Sequence, residues 1–523
     1  MPRTTRQRLS AQPPTTPRRG WFPWLLASLA ALLTAAPTLY EPAWPLAWVA
    51  LAPLFVALRA VSPGGAFLLG WWAETLMYWL GFYWLIGTMV NFGSIAVPLS
   101  VVFFAIIGLG NGVRLGLFAW WLRLVETTAS PWWVRLVLPA SIYVTLDYLF
   151  PRVFPWYLGF LQFPATPFIQ IADLTGIHGV SFMLVACSSA VAAFVPYAPQ
   201  PDHSTRRRLG VALVVLLVLQ GGYGLWRMRQ VTVAMRQAPT LRVALVQTNI
   251  GMDEKRQGRQ REERLELQTA MGREALSQQP DVIIWPESMY PYAVPTHAPS
   301  LPLPVLSESQ QAYWLIGALT FAGQRPGHQT FNSALLVAPD TRIVGRYDKQ
   351  ALLAFGEYIP LQRYFPFLRD ISPTIGDLTP GVGGVVTLPS GVSLGPLICY
   401  EDILPSLARK AVRQGARLLV NLTNDVWFGP TRAPYQHRGL AAFRAVENRV
   451  YLVRVTNTGL TSVIDALGRE QVTLPIYQRA TLVHDVHLVH LSTVYTRFGD
   501  WFAQVCGGIA IGLSVWLRRQ QRS

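Results

Sequence analysis

The sequence predicts a polytopic α-helical membrane domain joined to an α/β domain outside the membrane. The chain of 523 residues is 51% hydrophobic and only 14% charged, whereas about 25% of the residues of a soluble protein are charged. Its long apolar stretches lie before residue 228 and after residue 498, and the region between them alternates short apolar runs with polar segments. A chain of this length is also too long for one ordinary core, which favours two domains.

Eight apolar stretches are the candidate membrane helices, because a helix needs about 20 residues to cross a bilayer. Seven precede the α/β domain and one follows it. They lie at about 22–39, 42–58, 66–86, 96–113, 132–150, 178–196, 209–226 and 500–517. The expected organisation is a basic tail (1–20), seven spans (21–227), the outer domain (228–498), the eighth span (499–517) and a second basic tail (518–523).

Clustered arginines predict the orientation of these spans. Residues 1–20 hold five arginines, 206–208 hold three, and 518–523 hold three more. The positive-inside rule places all three groups in the cytoplasm. Residues 228–498 then lie on the opposite side, together with the aromatic segment 151–177, whose composition suits a membrane interface. The net charge of +16 is therefore interpreted as a signal of membrane orientation and not of nucleic-acid binding.

Two carboxylates, Glu74 and Asp147, fall within predicted spans. A charged side chain inside a bilayer is costly and often functional. Hydrogen bonding between helices, or a position near the interface, would explain both residues equally well, so the two interpretations stay open.

The outer domain alternates predicted strands and helices. Short apolar runs of this kind are typical of strands that are covered on both faces, and hence of an α/β layer fold. The strands are expected at 241–247, 281–285, 313–319, 332–338, 392–399, 416–422, 450–456 and 461–464, and the helices at 260–278, 404–414 and 434–448.

Cys399 is the candidate nucleophile. It ends an apolar run and is followed by the polar residues Tyr-Glu-Asp, so we expect the thiol to face a cleft. A thiol has a pKa of about 8.5 and needs a base or a positive neighbour to react. The other two cysteines lie in apolar spans, and the sequence contains no disulfide framework and no cysteine pattern typical of a metal site.

Lys349 and Glu287 are the candidate partners of this thiol. The chain has only three lysines against 41 arginines, which indicates that position 349 requires a compact ammonium able to approach an oxyanion. Glu287 follows a Trp-Pro pair, and a proline cannot continue a central strand. The carboxylate is therefore expected at a sheet edge, where a general base can reach a substrate. A surface lysine and a helix N-terminal acid are the alternative interpretations.

Further residues near these three positions are candidates for supporting roles. Glu357 and Glu401 could hold Lys349, although ordinary salt bridges would explain them equally well. Aromatic loops could insert at a lipid interface and grip acyl chains, or could simply pack within the domain. The candidate pocket residues are Trp427, Phe428, Tyr290, Tyr364 and Phe365.

Taken together, the motifs resemble the nitrilase (carbon–nitrogen hydrolase) superfamily and, because of the flanking spans, its membrane-embedded branch, the apolipoprotein N-acyltransferases. Two positions depart from the family pattern, since Ala354 stands in place of a proline and Arg256 in place of a tryptophan. The matching pieces are Trp285-Pro-Glu287, Asp348-Lys349, Phe355-Gly-Glu357, Cys399-Tyr-Glu401, Asn424-Asp-Val-Trp-Phe-Gly429, Gln436-His437, Arg444-Ala-Val-Glu-Asn-Arg449 and Thr456-Asn-Thr-Gly459.

The resemblance implies an αββα sandwich for the outer domain and a two-step acyl transfer at a bacterial inner membrane, with the catalytic domain in the periplasm and both termini in the cytoplasm. Glu287 would take the proton of Cys399, and the thiolate would attack the sn-1 ester of a phospholipid such as phosphatidylethanolamine. Lys349 and the backbone N–H of Tyr400 would stabilise the oxyanion.

The resulting thioester would then acylate the α-amine of a diacylglyceryl-cysteine on an apolipoprotein, which is the last step of bacterial lipoprotein maturation. Glu357 and Glu401 would support the site. The resemblance implies no cofactor and no metal, and we expect a monomer.

Two other functions remain as alternatives. A membrane-anchored amidase or nitrilase would use the same three residues with water as the acceptor, although an apolar approach sized for an acyl chain favours transfer. A transporter whose outer domain only binds a ligand would keep its function when Cys399 is replaced by alanine.

Overall fold

The structure is a computed structural model that describes residues 20–522 except 92, 94, 127–129, 153, 198–199, 252–260, 304–311, 324–327, 360–361, 363 and 367–376. The basic tail expected at 1–20 lies outside the described residues apart from residue 20. Arg256 and the terminal Ser523 lie outside them as well.

The first half of the chain is helical. A 3-10 helix at Glu41–Trp48 precedes the second α-helix, and another lies at Leu158–Gln162. In chain order the α-helices are α1 (Phe22–Leu39), α2 (Ala52–Leu58), α3 (Pro63–Gly81), α4 (Trp84–Asn91), α5 (Val97–Val125), α6 (Val134–Leu149), α7 (Thr166–Ile169), α8 (Ala172–Thr175), α9 (Ile177–Ala192) and α10 (His203–Gln237).

Within the described ranges, five helical segments are long and apolar enough to cross a membrane. They are Phe22–Leu39, Glu41–Leu58, Val97–Val125, His203–Gln237 and Trp501–Arg522. At the other three predicted spans lie α3, α6 and α9, which have 19, 16 and 16 residues. These apolar helices are consistent with a membrane domain, and the number of eight spans stays a prediction.

Arg114 on α5 accounts for the two carboxylates predicted inside the membrane. Its guanidinium contacts Glu74 Oε1 on α3 at 2.5 Å and Asp147 Oδ1 on α6 at 3.1 Å, and it also donates to the Tyr143 hydroxyl. All four side chains are buried. The interpretation as hydrogen bonding between helices is therefore confirmed, and the sequence analysis missed the arginine that carries it.

The described part of the α/β domain (228–498) contains two β-sheets. Its strands are β1 (Thr240–Gln247), β2 (Val282–Ile284), β3 (Val294–Pro295), β4 (Tyr313–Ala322), β5 (Gln329–Val337), β6 (Ile343–Asp348), β7 (Val386–Thr387), β8 (Ser393–Ile398), β9 (Leu418–Thr423), β10 (Tyr451–Thr456), β11 (Ser462–Ile464), β12 (Glu470–Thr473) and β13 (Ala480–His487). The first sheet has the order β13-β1-β2-β4-β5-β6, with β3 paired to β4, and the second has the order β12-β11-β10-β9-β8-β7.

The remaining helices are α11 (Arg261–Leu276), α12 (Pro405–Arg413), α13 (Ala433–Asn448), α14 (Val494–Phe498) and α15 (Trp501–Arg522). Alternate side chains of a strand point to opposite faces. Accordingly, Val243 and Leu245 of β1 pack in the core between the two sheets, whereas Ala244 and Val246 pack with α11. The outer face of the second sheet packs against α12 and α13. The layers are therefore helix, sheet, sheet, helix, as expected for an αββα sandwich.

The α13 helix joins this domain to the membrane bundle. Gln436 Nε2 donates to the carbonyl oxygens of Thr38 and Gly81 at 3.2 and 2.9 Å, and the Trp84 indole N–H donates back to Gln436 Oε1 at 3.0 Å. Farther along α13, the Glu447 carboxylate accepts from the backbone N–H of Ile177. These contacts hold the α/β domain against one end of the membrane bundle, formed by the ends of α1, α3 and α9.

The structure shows two of the predicted segments in more detail. The predicted span at 209–226 is part of the 35-residue α10, which at 1.5 Å per residue is about 52 Å long and exceeds the bilayer core of about 30 Å. Its polar end leaves the membrane, and Val231 and Met235 pack in the core between the sheets. The described residues of the segment 151–177 are largely buried against α13 and the bundle. Trp156 is 4% and Phe160 5% exposed.

Candidate active site

The three candidate catalytic residues lie at the carboxyl ends of three strands. Glu287 follows β2, Lys349 directly follows β6, and Cys399 directly follows β8. Since β2 pairs with β1 on one side and β4 on the other, Glu287 lies beyond the end of an interior strand and not beside an outer one. This position agrees with the expectation that the chain leaves the sheet at Pro286 and places the carboxylate at the sheet edge formed by the strand ends. The sandwich brings the three strand ends together across its two sheets.

Lys349 lies between two carboxylates. Its Nζ is 2.9 and 2.8 Å from the two oxygens of Glu357 and 3.6 Å from Glu287 Oε1. The lysine is 1% exposed and Glu287 is 7% exposed. Burial by itself would lower the pKa of the ammonium, but Cys399 and the two carboxylates raise it above its ordinary value. Lys349 is therefore charged at neutral pH.

Asn332, the fourth residue of β5, holds both carboxylates. Its side-chain amide donates to Glu287 Oε1 at 2.7 Å and to Glu357 Oε1 at 3.2 Å. Its carbonyl oxygen accepts the backbone N–H of Lys349 at 2.8 Å. The sequence analysis missed this residue, although an asparagine at the start of an apolar run was a usable signal.

Cys399 adopts a backbone conformation that is rare for a residue with a side chain. Its φ is 54°, in the left-handed region that favours glycine and that is often found at functional sites. Asn421 stabilises this turn by donating its amide to the carbonyl oxygens of Cys399 and Leu397 at 2.8 and 3.1 Å. The backbone turns away from the strand at Cys399, which is the first residue of the 3-10 helix Cys399–Ile403. The residue is half-buried.

The surroundings of Cys399 keep the thiol protonated in the resting site. Burial raises the pKa of the thiol well above its ordinary value, and the Glu287 carboxylate raises it further, while Lys349 opposes the shift. A base must therefore remove the proton before the sulfur can attack. The Glu287 carboxylate, close enough to shift that pKa, can serve as this base.

Glu401 holds the loops of the site together and is not the partner of Lys349. The carboxylate accepts backbone N–H groups from Gln350 and Ala351 at 2.7 and 2.9 Å, and from Ile398 at 2.8 Å. It also accepts the Tyr347 hydroxyl at 2.8 Å. Burial raises its pKa, against the effect of Lys349 and these N–H groups. Glu401 thus fixes the loop after β6 against the end of β8.

Tyr400 borders the lysine. Its hydroxyl donates to the Leu352 carbonyl at 3.0 Å, and Lys349 Nζ lies 5.6 Å from the centre of its ring. The first N–H groups of a helix are not used within the helix. The N–H at Tyr400, the second residue of the 3-10 helix, is thus suited to bind a developing oxyanion.

The five predicted pocket residues divide into two groups. Tyr290 is 7% exposed and packs in the core beside Tyr292, whereas Tyr364 and Phe365 are 72% and 47% exposed. Trp427 and Phe428 are half-buried. The Phe428 ring packs on Trp84 of the membrane bundle at 5.0 Å, so this side chain anchors its loop to the bundle.

A buried ionic cluster lies next to the nucleophile loop. His437 on α13 contacts Asp402 through Nε2 at 2.7 Å and Asp425 through Nδ1 at 3.3 Å, and Arg454 is ion-paired with Asp402. Burial lowers the pKa of the imidazole, but the two carboxylates raise it above its ordinary value. His437 is one of the residues that match the family pattern, and its position between the Cys399 and Trp427 loops was not predicted from the sequence.

The comparisons with known proteins agree with this architecture. Residues 242–495 match the carbon-nitrogen hydrolase family, and residues 19–190 match the apolipoprotein N-acyltransferase N-terminal domain. The apolipoprotein N-acyltransferase of Geobacter metallireducens is 34% identical over 521 residues, covering 96% of both chains. Those of Chlorobaculum tepidum and Gloeobacter violaceus are 29% and 31% identical, covering 93% and 89% of this chain and 95% and 88% of their own.

Proposed function

The chain belongs to the apolipoprotein N-acyltransferase family and is an acyltransferase, and from this premise we propose that it moves an acyl chain from the sn-1 position of a phospholipid to an apolipoprotein through a thioester on Cys399. The acceptor is the α-amine of an N-terminal diacylglyceryl-cysteine. The observation that carries the proposal is the ion-paired group of Glu287, Lys349 and Glu357 beside Cys399.

The first half-reaction forms the acyl-enzyme. Glu287 takes the proton of the Cys399 thiol, and the sulfur attacks the carbonyl carbon of the sn-1 ester. The carbonyl oxygen becomes an oxyanion that faces the Lys349 ammonium and the Tyr400 N–H, where each donor is worth about 3–4 kcal/mol. The carbon–oxygen bond then breaks, the lysophospholipid leaves with the proton from Glu287, and a thioester remains.

The second half-reaction forms the amide. The neutral α-amine of the lipoprotein attacks the thioester carbonyl, and Glu287 takes a proton from the nitrogen. The oxyanion returns to the same two donors. The carbon–sulfur bond then breaks, and the proton returns to Cys399. Asn332 and Glu357 support this exchange by holding Glu287 and the ammonium in fixed positions.

Exposed aromatic residues support access from the lipid. Tyr364 and Phe365, as well as Phe355 at 55% exposure, lie on the loop that follows Lys349. Aromatic side chains are common at the membrane interface, where the ring contacts lipid and polar groups nearby contact water and headgroups. We assign Trp427, Phe428 and Tyr290 to the wall of the acyl-chain pocket as a further part of this proposal.

We place the catalytic domain on the periplasmic side of a bacterial inner membrane, with both termini in the cytoplasm and the chain as a monomer. The arginines at 206–208 and 518–522 support this orientation, because they lie at the ends of α10 and α15 that are far from the catalytic domain. Phosphatidylethanolamine is the donor that the resemblance favours.

Mass spectrometry of the intact chain after incubation with phospholipid, without acceptor, tests the first half-reaction. We expect a mass increase of one fatty acyl group on the peptide that contains Cys399. The two buried cysteines of the membrane helices, Cys187 and Cys506, serve as controls within the same chain and should stay unmodified. An unmodified Cys399, or equal modification of the three, would refute the thioester.

Adding a labelled donor and a diacylated peptide separates acyl transfer from hydrolysis. Transfer gives label in amide linkage on the peptide, and the amount depends on its free α-amine. A membrane-anchored amidase would give free fatty acid alone. An acetylated peptide is the matched control, since it keeps the lipid but has no nucleophilic amine.

A further inference from the structure

A groove runs along the first turns of α10, between α6 and α9. It has a volume of about 780 Å³, within the range of about 300–1,000 Å³ typical of small-molecule sites. The α10 helix lines it with side chains four residues apart, His203, Arg207, Val211 and Val215, and with their immediate neighbours. Residues four apart lie on one face of a helix, so the groove follows the helix axis.

Polarity changes steadily along the groove. Arg207 and Arg208 are exposed at the start of α10, and Trp132 and Trp133 lie beside them. The other end is apolar and is formed by Leu216 together with residues of α6 and α9. From residue 203 to residue 216, α10 rises about 20 Å, which is close to the depth of one leaflet with its headgroups. The groove therefore has the length and the polarity profile of one phospholipid.

This groove is separate from the candidate active site. The catalytic domain contacts the bundle at the C-terminal end of α1 and the N-terminal end of α9, through Gln436 and Glu447. The groove begins at the N-terminal end of α10, which lies at the opposite end of the bundle. A lipid in the groove thus belongs to the leaflet far from the acyl donor.

Charge decides which lipid fits. Asp202, the carboxylate that precedes α10, is already engaged as the helix cap, accepting the Thr205 N–H at 2.7 Å and the Ser204 hydroxyl at 2.8 Å. Arg207 and Arg208, in the next turn of α10, line the groove. Two guanidinium groups beside an apolar channel match a phosphate group with an attached acyl chain.

A second arginine-lined cavity, of about 110 Å³, differs in this respect. Its arginines donate to backbone carbonyls, as Arg59 does to Ala192 at 2.7 Å and Arg123 to Val61 at 2.9 Å, and Arg135 pairs with Glu126. Those groups are engaged at helix ends, and the cavity has no comparable apolar channel. The α10 groove is therefore the better seat for a lipid.

We propose that the α10 groove binds one anionic phospholipid of the leaflet opposite the catalytic domain, with its phosphate between Arg207 and Arg208 and an acyl chain along Val211 and Val215. Only 17% of the apolar stretch of α10 is buried by the rest of the protein. A bound lipid would therefore cover apolar side chains of α10 that no other part of the protein covers. Farther along the same helix, Val231 and Met235 pack against the core between the sheets, so the lipid also steadies the connection to the catalytic domain.

Native mass spectrometry of the full chain tests this assignment. The probes are phosphatidylglycerol, phosphatidylcholine and soluble glycerol 3-phosphate at equal concentration. The test variant is Arg207→Gln with Arg208→Gln, and the matched control is Arg518→Gln with Arg519→Gln, which removes the same charge from exposed positions at the same end of the bundle. Acyl-enzyme formation by every variant checks that the chain is folded.

We expect phosphatidylglycerol to stay bound to the wild type and to the control. The test variant should bind it about 30-fold more weakly, because each arginine near an anionic group contributes about fivefold. Equal binding by the test and control variants would overturn the proposal. If phosphatidylcholine bound as tightly as phosphatidylglycerol, the proposed preference for an anionic lipid would be wrong. If glycerol 3-phosphate bound as tightly, the two arginines would be a site for a soluble phosphate and not for a lipid.

A second variant tests the channel itself. Ala212→Phe places a ring in the groove and leaves both arginines in place. We expect it to lose phosphatidylglycerol as the arginine variant does, whereas retention at the wild-type level would show that the lipid does not lie along α10.

Discussion

Replacing Lys349 with arginine should abolish catalysis although it keeps the positive charge. The ammonium lies within 2.9 Å of both oxygens of Glu357 and 3.6 Å from Glu287, and it is 1% exposed. A guanidinium is larger, planar and never deprotonated. In this closed space it would form a paired contact with Glu357 or Glu287 and could not present a single N–H to the oxyanion.

The expected loss follows from the role of the ammonium. One preorganised oxyanion donor is worth about 100- to 1,000-fold in rate. If the arginine also forms an ion pair with Glu287, the base is weakened as well, and the loss exceeds 1,000-fold. Stability should change less than activity, because the charge balance with the two carboxylates is preserved.

Single-turnover formation of the acyl-enzyme from labelled phospholipid measures this loss. The matched control is Lys410→Arg, because Lys410 is an exposed lysine on α12 that contacts only the nearby Gln350 among its described hydrogen bonds. The control should form the acyl-enzyme at the wild-type rate. A Lys349→Arg variant within tenfold of the wild type would refute the oxyanion role and would leave Lys349 as a charge that merely balances its neighbours.

Three further predictions follow from the contacts of the site and of the junction. Glu357→Gln should slow acyl-enzyme formation about 10- to 100-fold, since a charged hydrogen bond is worth about 1.5–3 kcal/mol, while Asp340→Asn on the exposed β5–β6 turn should have no effect. Glu287→Gln should lower the raised pKa of Cys399, so iodoacetamide should alkylate the thiol faster at pH 8 while acylation is lost; slower alkylation would contradict the charge assignment. Gln436→Ala should lower the thermal midpoint, because three buried hydrogen bonds to the bundle disappear, and an unchanged midpoint would contradict this role.

The sequence predicted the parts of the site that lie on the chain at strand ends. Cys399 and Glu287 each follow an apolar run, which indicates the end of a strand and the start of a loop, where catalytic and binding residues are often found. The scarcity of lysine pointed to Lys349 for a chemical reason. The structure brings these three positions together, and their catalytic roles remain proposals that the experiments above test.

The contacts that the sequence did not predict depend on tertiary structure. Asn332 bridges two carboxylates that are 70 residues apart in the chain, and Arg114 bridges two helices. The sequence pattern that predicts helices and strands does not indicate which distant side chains Asn332 and Arg114 contact. The length of α10 was missed for a related reason, because hydropathy reports where a helix leaves the lipid and not where it ends.

The distribution of contacts among the acidic residues explains why one of them is suited to be the base. Glu401 accepts three backbone N–H groups and a hydroxyl, so it is fixed as a structural anion. Glu357 takes the short contacts of Lys349 and also the Leu353 N–H at 2.9 Å. Glu287 faces the same ammonium at the longer distance of 3.6 Å and is oriented by an amide. Since a tight ion pair would oppose proton uptake, the ammonium's preference for Glu357 leaves Glu287 the carboxylate best able to exchange a proton with Cys399. Asn332 keeps Glu287 and Lys349 apart. In an Asn332→Ala variant Glu287 should approach Lys349, so the rate of acyl-enzyme formation should fall while Lys349 stays charged.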